Sequence, residues 1–366
     1  MKHGIRLAVL ALAGATALAL AGTALATPKL IIGGQLGLGD SGAVVQLTEE
    51  KSDAAPAKVS IYAPTGYTGT VTATPGTQIG TVHADLQALQ ISPDAIIQAD
   101  GTVLTANPAT YVGNTCSPGT HTAVWLLHVT VSGQTIDVPV YVDAPAPTSD
   151  PLAQGAPFRL VFCLSSPYAE AGAARAPFGV KLINAQMTLN QGIVVNPSTR
   201  GIYPWRSIVT PYTVNSGTPN PAGTVEARAF VRLPVSLTLA AKVKTTRHKV
   251  KVHGKTRIRV TNAVILSGAL TENLEGISDI KVAILSGPSA TKLKSRGIAT
   301  TGAGGKYSRQ LGLPKKTSFM TRASVDVRDI TSSGCATPTP GVPCVSATAP
   351  GFDISSSVVT ATPRKR

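Results

Sequence analysis

From about Ala43 to the C-terminus, short runs of β-branched and aliphatic residues alternate with clusters of Gly, Pro, Asn and Ser, and helical periodicity is scarce. Runs of that length fit extended strands, and the clusters between them fit tight turns. Strands are expected at Lys58–Tyr62, Gly69–Thr74, Phe158–Leu164, Phe178–Leu189, Tyr203–Thr210 and Thr224–Leu233. Asp100-Gly101 stands between two β-rich runs within Ala95–Thr105, a strong hairpin signature. Ser132-Gly133-Gln134 marks a second hairpin, between the runs 123–131 and 135–142. The pattern predicts an all-β chain, with two or three antiparallel β-sandwich domains in tandem. The 366 residues are 43% hydrophobic and 14% charged, so the chain has the apolar surface to fold and lacks the composition of disorder.

The N-terminus reads as an export signal. Lys2 and Arg6 precede an uncharged run from Leu7 to Ala21, and Ala24-Leu25-Ala26 provides a small-x-small cleavage site. The expected cut lies between Ala26 and Thr27, which leaves a secreted or cell-surface chain without a transmembrane segment. Four cysteines suit that compartment. The favoured pairs are Cys116–Cys163 and Cys335–Cys344, with a metal site as the alternative, although no CxxC pair or nearby His completes one.

Charge divides the chain. Between Thr27 and Asp150 three basic residues face ten acidic ones, whereas between Ala241 and Arg366 twenty-one basic residues face six acidic ones. The densest basic run is Lys242–Arg259, and it alternates rather than forming a block. Val243, Val250, Val252, Ile258 and Val260 are interleaved with Lys249, Lys251, Lys255, Arg257 and Arg259 around Gly254. This reads as a hairpin with one apolar and one basic face, and those five cations are the candidate polyanion-binding residues. Export argues against nucleic acid as the partner and for an anionic cell-wall polymer or glycan.

The expected domains are a Gly-rich segment (27–44), an acidic sandwich (45–150), a second β-rich domain (151–235) and a basic domain (236–366). A connector at 144–157 separates the middle two, but a Cys116–Cys163 bridge would span it, so 45–235 is alternatively one unit. In the basic domain, Val264–Leu270, Gly276–Leu285, the turn Thr300–Ser308 containing Gly-Gly-Lys-Tyr-Ser, and Phe319–Val327 follow in order. This order resembles the bacterial Ig-like and carboxypeptidase-regulatory-like (transthyretin-type) β-sandwich accessory modules. The likeness covers about Val260–Val327, departs from the pattern at Ser278-Asp279 and Arg309, and implies a spacer, adhesin or attachment module with no catalytic residue.

Catalytic patterns are weak. Ile31–Gly34 and Gly39–Gly42 mimic serine-protease motifs, but within a dozen residues there is no room for the His and Asp that such a mechanism needs. His83, His121, His128, His248 and His253 form no zinc motif, and Glu49, Glu50, Asp85, Asp94, Asp100, Asp137 and Asp143 read as solvated turn or cap carboxylates. Tyr203 and Trp205 share a face if their segment is a strand. With Tyr212 they are either core residues or a glycan-stacking platform. The leading expectation is an exported, non-enzymatic structural or adhesive protein without cofactor, whose basic module contacts an anionic envelope polymer. The alternatives are a carbohydrate-binding protein and a secreted hydrolase with an unfamiliar site.

Overall fold

The computed structural model describes residues 26–131, 133–168, 179–330 and 332–364. The expected leader lies outside these residues except for Ala26, as does Phe178. The chain is all-β. Its first eleven strands are β1 (Lys29–Gly33), β2 (Ala43–Thr48), β3 (Pro56–Tyr62), β4 (Gln78–Gln87), β5 (Ile96–Ala106), β6 (Ala123–Val131), β7 (Gln134–Asp143), β8 (Arg159–Cys163), β9 (Lys181–Leu189), β10 (Gly201–Pro211) and β11 (Val225–Leu233). There follow β12 (Val235–Leu237), β13 (Ala240–Val252), β14 (Lys255–Glu272), β15 (Glu275–Gly276), β16 (Lys281–Gly287), β17 (Lys294–Thr300), β18 (Lys306–Gly312) and β19 (Thr317–Val325). The last are β20 (Arg328–Asp329), β21 (Cys344–Ala349), β22 (Phe352–Ser355) and β23 (Val359–Ala361).

One sheet takes thirteen of these strands, in the order β1-β2-β9-β4-β5-β6-β7-β8-β3-β10-β11-β21-β20. It takes strands from both 45–150 and 151–235, so the two stretches share one sheet. Alternation builds its inner face: Ala43, Val45 and Leu47 of β2 are buried, and Val44, Gln46 and Thr48 between them are half-buried. The sheet curls until its ends pack together, β1 lying against β11 and β21. Hydroxyls make that seam. Thr348 Oγ1 donates to the Leu30 carbonyl and Ser346 Oγ to the Pro28 carbonyl. The interior is one core in which Trp125, Trp205, Leu30, Leu47, Leu160 and Leu233 are fully buried.

Two local expectations fail, each at a glycine crowded by a neighbouring backbone. Asp100-Gly101 is not a turn but the middle of β5, paired with β4 and β6. Gly101 is there for close approach: a Cβ at this position would lie 2.0 Å from the His128 carbonyl oxygen. Gly69–Thr74 forms no strand, and a Cβ on Gly69 would lie 2.0 Å from the Ile193 carbonyl oxygen.

Two five-stranded sheets make up the C-terminal unit. One has the order β12-β14-β13 with β15 and β18 also on β14, and the other β17-β16-β19-β22 with β23 also on β19. Between them lies a second core that includes Val264, Leu266, Ile284 and Phe319. Tyr307, from the Gly-Gly-Lys-Tyr-Ser turn, is buried there and hydrogen-bonds Thr321 Oγ1 at 2.9 Å, while Gly304 and Gly305 take φ +66° and +68°. The chain does not stay in this unit. It returns through β20 and β21 to complete the first sheet, β21 running parallel to β11, before β22 and β23 rejoin the second.

Candidate functional site

β13 and β14 form the basic hairpin. Thirteen residue pairs join them, from Ala240–Ser267 to Val252–Lys255, and the two-residue turn His253-Gly254 has φ +49° and +76°. Positive φ at both central residues matches the twist of paired strands. At its base the hairpin belongs to the body, since β18 pairs with β14 only over Ala263–Ala269. Residues 245–262 therefore project as a two-stranded ribbon without a third strand, each arm about 25 Å long at ~3.3 Å per residue.

The expected division into an apolar and a basic face does not hold. Val252 pairs with Lys255, so even-numbered residues of β13 share a face with odd-numbered residues of β14. One face consequently carries Val250 and Val252 beside Lys255, Arg257 and Arg259, with His248 opposite Arg259. The other carries Ile258 and Val260 beside Arg247, Lys249 and Lys251. Each face thus presents three cations at every second residue along one strand, roughly 7 Å apart. The five cations singled out in the sequence fall on both faces, and Arg247 joins Lys249 and Lys251 as the sixth. No acidic residue occurs between Ala240 and Thr271. None of the ion pairs among the described residues involves these six side chains. Ile258 on one face is 61% exposed and Val252 on the other 38%, so neither face is covered by the body at the tip.

Of the three aromatics, Tyr203 and Trp205 sit in the barrel core, and Tyr212 sits in a small separate cluster with Ala55 and Ala57. Trp205 is fully buried, Tyr203 and Tyr212 nearly so. Tyr67 meets Tyr203 edge-on at 5.8 Å and Trp205 at 4.9 Å between ring centres. Tyr203 Oη donates to the Thr199 carbonyl and Tyr212 Oη to the Leu164 carbonyl. Tyr203 and Trp205 do share a face of β10, and that face is the interior. A ring enclosed on both sides offers no platform to a sugar, so the stacking expectation is corrected.

The disulfides are Cys116–Cys163 and Cys335–Cys344, with Cα atoms 5.9 and 5.5 Å apart. Near the first runs a buried polar chain that the sequence did not reveal. Tyr62 Oη donates to Asp150, Arg159 bridges Asp150 and Asp143, and Asp143 meets His121 Nδ1 at 3.1 Å. His121 Nε2 lies 2.9 Å from the Ser117 carbonyl oxygen. Burial pushes the Tyr62 phenol up to about 12, with the neighbouring Asp150 adding to the effect. Arg206 lies over the Tyr62 ring, its guanidinium carbon 5.2 Å from the ring centre, and donates to Thr339 Oγ1. Each of these groups is held by internal partners, as buried polar networks require.

Two of the seven front-half carboxylates are not solvated. Asp143 is buried in the chain just described. Glu49 continues the inward series Ala43, Val45, Leu47, is 6% exposed, and neither carboxyl oxygen has a hydrogen-bond partner. Burial raises its pKa to about 8; nearby Lys181 opposes the rise and Asp53 adds to it. Lys181 is itself fully buried, and its Nζ donates to the carbonyls of Glu50, Lys51 and Asp53. His83 and His128 make exposed pairs with Asp100 and Asp137, both at 2.7 Å. Among the described residues no three His, Cys, Asp or Glu side chains gather as a metal site, and no helix is long and apolar enough to cross a membrane.

No family model, curated protein or solved structure matches the chain.

Proposed function

We propose that this is an exported, non-enzymatic protein that docks on an anionic envelope polymer through the β13–β14 ribbon. The observation that carries this reading is the charge layout. Six cations lie in two rows on an 18-residue projection without one acidic residue or ion pair. Like charges in a row along a strand repel one another, and no carboxylate among the described residues offsets them. A polyanion with regularly spaced charges does, and it releases counterions as it binds. The leader-like N-terminus and the two disulfides support export. The two sheets enclosing the Tyr307 core support reading the C-terminal unit as a sandwich module of the Ig-like or regulatory-like kind, serving as the ribbon's mount.

The test is co-sedimentation of the exported chain with isolated cell walls across a salt series. A ribbon engaging one row of three cations gives a log–log salt slope near −3, roughly a hundredfold loss of affinity between 50 and 300 mM. Engagement of both rows doubles the slope. Arg247→Gln/Lys249→Gln/Lys251→Gln and Lys255→Gln/Arg257→Gln/Arg259→Gln then show which row binds. Retention that ignores salt and survives both triple variants refutes the reading.

A further inference from the structure

The buried aromatic side chains of the barrel core are gathered towards one end. Trp125 stands near the start of β6, Phe158 just before β8, and Trp205 packs edge-on against both Phe158 and Tyr67. The other end, marked by Leu47, Leu86, Val131 and Leu164, is filled differently. Ala84 pairs with Ala99 on one side and Ala185 on the other, so three methyl groups lie abreast across β5, β4 and β9. Those short side chains leave the interior underfilled, and a cavity of about 260 Å³ opens there. Leu86, Leu127, Val131, Ile136, Phe162 and Leu164 line it and are only half-buried, although each packs against the core. Val140 of β7 is buried in the core, so Ile136 and Val138 share its inward face, and the Asp137 side chain between them points out of the barrel, where it pairs with the exposed His128.

Protein interiors close-pack, with few voids larger than a water molecule. An apolar cavity of ~150 Å³ already stays dry and takes up benzene. This one is larger, yet below the ~300 Å³ at which pockets for drug-sized ligands begin. A narrow apolar body fits it and a polycyclic one does not. We propose that the barrel is a binding site for a single unbranched hydrocarbon chain of an amphiphile. The tail lies over Ala84, Ala99 and Ala185, and the head stays at the end of the barrel marked by Leu86, Val131 and Leu164. The site is independent of the ribbon and of what the ribbon binds.

The experiment titrates the full exported chain with 1-decanol by isothermal titration calorimetry, with 1-adamantanol as the polycyclic contrast. The expected result is saturable binding of one decanol per chain and no binding of adamantanol. Ala84→Phe, which fills the floor, and Leu127→Trp, which narrows the wall, each weaken decanol binding at least tenfold while circular dichroism stays native. Should Ala84→Phe fail to fold, Leu127→Trp decides, together with a decanol-induced rise in Tm of the parent protein. Absence of saturable binding by the parent, or equal binding by a folded Ala84→Phe or Leu127→Trp, overturns the proposal. So does a parent that binds nothing while Ala84→Leu raises Tm, which would make the space a packing void.

Discussion

Replacing Glu49 with Gln keeps the shape of the side chain and removes its titration. The folded protein holds this carboxyl at a pKa of about 8, against an ordinary value of 4.5. A carboxyl raised in this way binds its proton more tightly in the folded than in the unfolded state. Its contribution to stability is therefore fully present below about pH 4.5, falls as pH rises through the window between the two values, and is lost above about 8. At ~1.4 kcal/mol per pH unit, the whole window is of the order of 5 kcal/mol, and the part between pH 5 and 8 about 4. Lys181 is the only cation among the causes of the shift, and its Nζ already serves three carbonyls, so it relieves little of the penalty. Trp125 and Trp205 are the chain's two tryptophans and both lie in the barrel core, so tryptophan fluorescence follows the unfolding of this unit. Urea midpoints at pH 5, 6, 7 and 8 should show Glu49→Gln gaining on the parent by several kcal/mol across the series. Parallel curves would mean that Glu49 ionises freely, and the burial argument would fail.

Arg228→Met strands Glu226, which is fully buried and takes hydrogen bonds from Arg228 and the Thr339 amide; a loss of about 3–5 kcal/mol by the same fluorescence assay is expected. Gly101→Ala drives a methyl into the His128 carbonyl and should cost about 1–3 kcal/mol, with amide exchange accelerated first along β5 and β6. Replacing residues 246–261 by a short turn should leave the Tm of the body within a degree or two, because the free ribbon contributes no residue to either main core. The same deletion should abolish salt-sensitive wall retention.

Alternation made most strands readable, because an inward residue every second position is the signal that one buried face imposes. One further step of the same alternation past Leu47 falls on Glu49, which was read as solvated because it is a carboxylate and is in fact buried. The ribbon shows the opposite limit. Its strands, turn and charge were visible, whereas its faces depend on which residues pair, and one step of register exchanges every side chain between faces. Gly101 looked like a turn because Asp-Gly usually is one; the crowding that demands glycine comes from His128 on another strand. Tyr203 and Trp205 were seen to share a face, and only Tyr67 and Phe158, distant in sequence, show that this face is the core. The cavity depends on Ala84, Ala99 and Ala185 meeting across three strands, a meeting no local pattern records.

The interlaced path of the chain sets the terms for every experiment on its parts. From Leu233 to Arg328 the chain leaves the first sheet, and it then returns to it. The entropy of closing a loop grows only as the logarithm of its length, so an excursion of that size costs little more than a short one. What β21 gains on return is pairing with β11, the seam to β1, and the Arg228–Glu226 pair that grips the 335–344 loop through Thr337 and Thr339. A separate C-terminal fragment would carry β21 away from all of these and strip the barrel of its last wall, so the ribbon has to be tested on the intact chain. The ribbon tip offers a direct check. Lys251 and Lys255 flank an exposed turn, where trypsin should nick first. Neither disulfide crosses the nick, since Cys116–Cys163 precedes it and Cys335–Cys344 follows it. The two pieces should separate on a denaturing gel without reductant, yet leave a native sizing column as one peak with the parent's Tm nearly unchanged. Pieces that part on the native column would show that the β11–β21 pairing and the seam do not hold the molecule together.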